Sequence, residues 1–168
     1  MQPQSASTPD ESRLWAALEG VSDPEIPVLS VVDLGVVRAV AVDGHAAKIT
    51  ITPTYSGCPA MSYIEMMVRD AALKEGFAEV EVKTVLAPAW TTDWLSEAGR
   101  EKLRGIGIAP PAESSTSKQS LLGIDPVVAC PRCGSENTEI LSQFGSTACK
   151  ALYRCTDCAE PFDYFKCI

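Results

Sequence analysis

Paired cysteines near the end of the chain are the residues of this sequence best suited to bind a metal. Cys130 and Cys133 form one Cys-x-x-Cys pair, and Cys155 and Cys158 form a second pair after an interval of 21 residues. Two thiolates at this spacing can bind one ion from a tight turn, and four complete a closed tetrahedral site. Gly134 favours such a turn, because glycine readily adopts a positive φ. The spacing therefore predicts a four-cysteine metal site.

The residues leave the identity of this metal open. Structural Zn²⁺ is the first interpretation, but four thiolates also suit rubredoxin-type iron or an iron-sulfur cluster. A domain of about 40 residues rarely folds without a cross-link such as a bound metal, so we expect metal binding and folding to be coupled. Two neighbouring cysteines, Cys149 and Cys167, exceed a four-ligand set. Each is a small buried side chain, a substitute ligand or half of a second thiol site.

Cys58 stands apart from the other six cysteines and directly precedes a helical pattern. Backbone amides and the helix dipole at that position are expected to lower the pKa of a thiol, and the thiolate can then act as a nucleophile or bind a metal. The alternative is a buried cysteine that caps the helix.

Asp23 and Glu25, in the stretch Asp-Pro-Glu-Ile-Pro, form a carboxylate pair that could bind metal. Aspartate before proline is also a common turn element.

Charge and motifs exclude several classes of protein. The formal net charge of −8 argues against a protein that binds a phosphate backbone, since such proteins rely on lysine and arginine. The only histidine, His45, falls in a predicted hairpin turn, which disfavours a Cys/His catalytic pair. The sequence also lacks a P-loop, a nucleophile elbow and a Glu-x-x-His pair. We therefore expect no catalytic residue and a chain that is not catalytic alone.

The start of the chain bears on its compartment. Residues 1–13 have neither the basic nor the apolar region of an export signal, and no stretch approaches the roughly 18 consecutive apolar residues of a membrane span. We expect a cytoplasmic protein without membrane contact, in which paired cysteines hold metal rather than form disulfides.

Helical and strand periods predict the elements that must position these residues. Thr8 and Glu11 have the spacing of a helix capping box, and Asp43-Gly44 favours a hairpin turn. A final helix over 90–104 is expected to have Thr91 or Thr92 as its cap. The remaining elements are a helix that ends near Gly20, hairpin strands at 36–42 and 46–51, a helix over 61–76, a strand over 80–85, and β-prone stretches at 138–144, 148–154 and 162–165.

This order predicts a two-layer α+β domain followed by a small β zinc ribbon. The first domain is expected over residues 8–108, after a disordered lead-in at 1–7. Residues 109–126 have the Pro, Ser and Thr content of a linker, and the ribbon is expected over 127–168.

Two parts of the sequence resemble known families. The Asp-Pro-Glu-Ile-Pro stretch, the motif at 54–59 and the helix behind it resemble the small iron-sulfur assembly family that includes the SufT-like proteins, over roughly residues 10–108. The stretch Phe-Gly-Ser-Thr-Ala-Cys-Lys-Ala-Leu-Tyr-Arg-Cys at 144–155 and the last nine residues resemble the D-type component of phenylacetyl-CoA epoxidase systems. The first resemblance implies an iron-sulfur-assembly-like fold.

The second resemblance implies an accessory role in aerobic phenylacetate degradation, beside a di-iron oxygenase and a flavin and iron-sulfur reductase on other subunits. The expected task is to mature or insert a metal centre of a partner, most plausibly that of the reductase, with Cys58 as transient ligand and Asp23 and Glu25 shaping its site. One alternative is a rubredoxin-like electron carrier within the same oxygenase. The last is a nucleic-acid-binding ribbon, which the four basic and five acidic side chains of residues 130–168 do not support.

Overall fold

A computed structural model of the chain describes residues 8–111 and 127–166. It divides into two compact units, the first ending at Trp90 and the second beginning at Thr91. The predicted lead-in, residues 112–126 of the predicted linker and Cys167 lie outside the described residues. Within the described part, no helix has the length and apolar character needed to cross a membrane.

The first unit combines two helices with a three-stranded sheet, which confirms the predicted α+β class. Its elements are α1 (Pro9–Glu19), β1 (Val37–Asp43), β2 (Ala46–Ile51), α2 (Met61–Lys74) and β3 (Glu79–Thr84). The sheet order is β1-β2-β3, with β1 and β2 antiparallel and β2 and β3 parallel.

Local signals in the sequence set the limits of these elements. Thr8 Oγ1 accepts a hydrogen bond from the Glu11 amide, and the Glu11 carboxylate accepts one from the Thr8 amide, so the predicted capping box starts α1. Gly44 has a φ of +58° in the turn between β1 and β2, a conformation that glycine adopts without strain.

The core of the first unit lies between the sheet and its two helices. Alternate residues of β2 are buried, as expected for a strand with one face on the core. Each helix buries one apolar face, because α1 and α2 pack on each other as well as on the sheet. The almost fully buried residues are Leu14 and Leu18 of α1 and Ile64 and Val68 of α2. Trp90 is the last residue of this unit and is buried, and its indole Nε1 donates a hydrogen bond to the Leu34 carbonyl at 2.7 Å.

The described residues of the second unit form a short 3-10 helix (Thr92–Trp94), α3 (Glu97–Gly105), β4 (Ile108–Ala109), β5 (Thr138–Ser142), β6 (Lys150–Cys155) and β7 (Pro161–Phe165). The four strands make one sheet of order β4-β7-β6-β5. β4 runs parallel to β7, and the other neighbouring strands are antiparallel.

The helix predicted over 90–104 starts later in the structure, and the predicted caps Thr91 and Thr92 are wrong. Leu95 has extended backbone angles after the 3-10 turn, which interrupts the helix. Ser96 caps α3 instead, with its Oγ accepting a hydrogen bond from the Gly99 amide at 2.9 Å.

The division between the units also differs from the predicted boundary at residue 108. Ile108 and Ala109 pair with Asp163 and Tyr164 of β7, so β4 extends the ribbon sheet and α3 lies in the second unit. A two-residue strand has no period of its own, and its pairing partner lies more than 50 residues away in the chain. Local patterns therefore could not indicate this assignment.

The position of α3 leads to a testable result. Leu103 is fully buried, so Leu103→Ala should lower the free energy of unfolding by roughly 2–5 kcal/mol. Amide hydrogen exchange measured by mass spectrometry should speed up in residues 97–109 and 150–165. The matched control is Leu73→Ala, since Leu73 is half exposed on α2 and should change stability by less than about 0.5 kcal/mol. Faster exchange confined to residues 37–84 would contradict the assignment.

Candidate metal centre

The structure brings the four predicted metal ligands together. The Sγ atoms of Cys130, Cys133, Cys155 and Cys158 all lie within 4.8 Å of one another. The first cysteine of each pair is buried and the second is exposed, so the cluster sits at the edge of the ribbon core with one side towards solvent. Four converging sulfurs are the donor set of a closed tetrahedral site, which fits Zn²⁺ or thiolate-bound iron.

The two cysteine turns have the same backbone geometry. We call residues 130–135 the first knuckle and residues 155–160 the second knuckle. In each, the amide of the first cysteine donates to the carbonyl five residues later: Cys130 to Ser135 at 2.8 Å and Cys155 to Glu160 at 2.9 Å. This repeated turn directs both thiols of a knuckle towards one point.

The residue after the second cysteine has a left-handed conformation in both knuckles. Gly134 has a φ of +75°, and Ala159, at the same position of the second knuckle, has a φ of +62°. The turn at Gly134 was predicted from the sequence and the one at Ala159 was not, although its equal spacing from Cys158 could have indicated it. Alanine at a positive φ is strained by about 1–2 kcal/mol.

Backbone amides favour a thiolate at the buried end of the cluster. The amides of Cys158 and Asp157 donate to Cys155 and lower its pKa to about 7. At Cys133 the Ser135 amide acts in the same direction, but desolvation and the other thiols outweigh it and raise the pKa to about 12. Four adjacent thiols therefore do not all ionise by themselves, and a bound cation would stabilise the four thiolates together.

Side chains join the two knuckles beside the sulfurs. Asp157 Oδ2 accepts a hydrogen bond from Ser135 Oγ at 2.5 Å, and both of its carboxylate oxygens accept from Asn137 Nδ2, at 3.2 and 3.0 Å. These bonds lower the pKa of Asp157, so it is a carboxylate at neutral pH. Arg132 also reaches across, to Glu160 at 2.9 Å. None of these contacts was predicted from the sequence.

Of the two surplus cysteines, Cys149 is buried beside the sheet. Its Sγ lies 3.1 Å from Thr147 Oγ1, and the structure does not include it in the four-sulfur cluster. Cys167 lies outside the described residues, so the predicted roles of this pair stay predictions.

The Asp-Pro-Glu stretch forms a turn. Asp23 is buried, and its Oδ1 accepts hydrogen bonds from the amides of Glu25 and Ile26, each at 2.8 Å. Oδ1 of Asp23 therefore stabilises the turn, as the turn interpretation predicts. A metal role for Asp23 and Glu25 stays a prediction.

Cys58 lies ahead of α2, which starts at Met61, and the predicted lowering of its pKa is wrong. The thiol is partly buried, and desolvation raises its pKa. The negative charges of Glu25 and Asp23 raise the pKa further, against hydrogen bonds from the Ala60 amide and the Tyr55 side chain. The fold therefore places Cys58 within electrostatic reach of both carboxylates, which lie more than 30 residues earlier in the chain.

Comparison with known families assigns the two halves separately. Residues 11–86 match a family described as "Iron-sulfur cluster assembly protein", and residues 114–166 match one described as "PaaD zinc beta ribbon domain". The first match contains Asp23, Glu25 and Cys58, and the second contains all four clustered cysteines.

Individual relatives follow the same division. An Escherichia coli K12 protein, named as the putative D component of 1,2-phenylacetyl-CoA epoxidase, is 52% identical over 95% of this chain and 94% of its own length. The Bacillus subtilis 168 "Fe-S protein maturation auxiliary factor YitW" is 38% identical over 51% of this chain and 85% of its own. A Bacillus anthracis structure titled as a domain of unknown function, DUF59, matches with a TM-score of 0.52 and 35% identity, over 56% of this chain and 91% of that one.

The matched left-handed positions predict opposite effects of two substitutions. Ala159→Gly should raise the free energy of unfolding of the metal-loaded chain by about 0.5–1 kcal/mol, since strain relief exceeds the extra entropy of the unfolded state. Gly134→Ala should lower it by a similar amount, because its new Cβ would meet no atom within 4 Å and only φ decides. Thermal and denaturant unfolding measure both, and shifts of equal sign would contradict the prediction.

Proposed function

This chain belongs to the family of the D component of 1,2-phenylacetyl-CoA epoxidase, and from this premise we propose that it is an accessory component of a phenylacetyl-CoA epoxidase that matures or inserts the metal centre of a partner subunit. Similarity over almost the whole length of both chains supports the accessory role in phenylacetate degradation. The first unit supports the maturation role, through its match to an iron-sulfur assembly family and to a B. subtilis maturation factor.

One observation carries the maturation proposal: Cys58 lies within electrostatic reach of Glu25 and Asp23. A partly exposed thiol can bind iron or a cluster, and its raised pKa makes it a ligand that protonates easily and so releases its cargo. Carboxylates nearby can accept the same metal or take up protons. Tight, permanent binding would need more thiolates than this site offers, whereas transfer needs only brief binding.

The ribbon has a separate, structural task in this proposal. Cys130, Cys133, Cys155 and Cys158 would hold Zn²⁺, which supplies the charge that four adjacent thiolates require and stabilises a small sheet. The client in this proposal is the iron-sulfur reductase of the epoxidase, and the di-iron oxygenase is the alternative client. The two metal sites therefore differ in purpose.

Metal analysis of anaerobically purified protein tests this division of tasks. The wild-type chain should be colourless with about one Zn²⁺, as a closed structural site requires. Cys155→Ser should lose the metal, because it removes a buried ligand, while Cys58→Ser should retain it. A coloured wild-type protein with iron at the ribbon cysteines would support the rubredoxin-like electron carrier instead.

Complementation of a deletion strain tests the maturation step. Cells that lack this chain should yield reductase with a depleted cluster, measured by iron content and by visible absorbance of the purified reductase. The wild-type gene should restore the cluster and Cys58→Ser should not, since serine is a poor ligand for iron in place of thiolate. Ser56→Ala, an exposed change in the same loop, is the matched control and should restore it. A full cluster in the deletion strain, together with a fully metallated oxygenase, would refute the proposal.

A further inference from the structure

The two knuckles meet around the metal site although they lie far apart in the chain. The first knuckle ends at Ser135, ahead of β5, and the second knuckle begins at Cys155, the last residue of β6. β5 and β6 pair antiparallel, and Thr138 lies opposite Cys155 at this end of the pair. Strand pairing therefore reaches the second knuckle but stops short of the first. Contacts outside the paired strands help to set the separation of the two.

Asp157 makes contacts of this kind between the knuckles. It lies between Cys155 and Cys158, and its carboxylate accepts hydrogen bonds from Ser135 of the first knuckle and from Asn137 just before β5. Asn137 also binds the second knuckle through its carbonyl oxygen, which accepts from the amide and the hydroxyl of Thr156, each at 2.9 Å. Asp157, Ser135 and Asn137 together form what we call the knuckle clamp.

We propose that Asp157 positions the four metal-binding thiolates by holding the two knuckles at a fixed separation. This inference rests on the metal centre proposed above and concerns the chain's own residues around it. Metal binding must order four sulfurs from two knuckles around one point, which costs conformational freedom. The clamp restricts the separation of the knuckles beforehand, so less ordering remains to be done when metal binds. Contacts of this kind commonly change metal affinity by roughly 10- to 100-fold.

The clamp is better suited to this task than the ion pair between Arg132 and Glu160. That pair also crosses between the knuckles and, like the clamp, is exposed, but it is one ion pair between two long side chains. Exposed ion pairs of this kind contribute little. The Asp157 carboxylate instead accepts from two donors on the same partner segment, and one of them, Ser135, also accepts a hydrogen bond from the Asn137 amide at 3.0 Å. Several hydrogen bonds therefore hold the Asp157 carboxylate in one position.

The knuckles supply a matched pair of variants for the test. Arg132 and Asp157 occupy the same position, directly before the second cysteine of their knuckles. Co²⁺ affinity of the full-length chain is measured by competition with a chelator, using the thiolate-to-cobalt absorbance, and Zn²⁺ release is followed with a chromogenic dye. Asp157→Ala should weaken Co²⁺ binding by roughly 10- to 100-fold and speed Zn²⁺ release. Arg132→Gln should change affinity by about threefold at most.

A double-mutant cycle separates the clamp from the charge of Asp157. Ser135→Ala leaves the charge unchanged and should weaken metal binding in the same direction as Asp157→Ala. The double variant should lose less affinity than the sum of the two single losses, since both changes remove the hydrogen bond between Ser135 and Asp157. Asp157→Asn keeps an acceptor oxygen and should lose less affinity than Asp157→Ala. Ser135→Ala and Asp157→Asn also keep the test valid if Asp157→Ala does not fold.

Three results would overturn the proposal. Wild-type affinity in both Ser135→Ala and Asp157→Ala would show that the clamp does not position the thiolates. Equal losses in Arg132→Gln and Asp157→Ala would show that any contact between the knuckles has the same effect, so that Asp157 has no particular positioning role. A wild-type chain that takes up neither Co²⁺ nor Zn²⁺ would refute the metal centre itself, a result distinct from the other two.

Discussion

The convergence of four thiols is the constraint on which the second half of this protein depends. Their sulfurs lie within 4.8 Å of one another, where separate negative charges repel strongly. The chain tolerates this arrangement through amides that donate to Cys155 and through turns that need a left-handed residue at Gly134 and Ala159. A bound cation would complete the balance of charge. The ribbon sheet is thus organised around its metal site as much as around its apolar core.

The first unit is held together by a different interaction, the burial of apolar side chains. Its core consists of aliphatic side chains buried between a sheet and two helices. Cys58 is partly buried within electrostatic reach of Glu25 and Asp23, and burial together with these charges raises the pKa of its thiol. A thiol with a raised pKa releases a metal more readily than a stable thiolate does, which suits the transient binding proposed for this unit.

Strong local signals were sufficient for much of the fold. The capping box of Thr8 and Glu11, the turn at Gly44 and the apolar period of α2 each depend on neighbouring residues, and the structure contains all three. The pairing of β4 with β7, the late start of α3 and the raised pKa of Cys58 were not predictable in this way. Each depends on a partner distant in the chain or on an interruption such as Leu95, whose backbone conformation local patterns do not specify.

The sequence by itself determined the metal-binding chemistry, because two Cys-x-x-Cys pairs define a four-thiolate donor set whatever their surroundings. It also determined the identity of the two halves, through motifs that are contiguous in the chain. Only the tertiary structure decided which residues support those ligands. Asp157 and Ser135 are ordinary polar residues in the sequence, and they become a link between knuckles only when β5 and β6 pair. The approach of Glu25 to Cys58 has the same origin, since electrostatic interaction depends on distance in space and not along the chain.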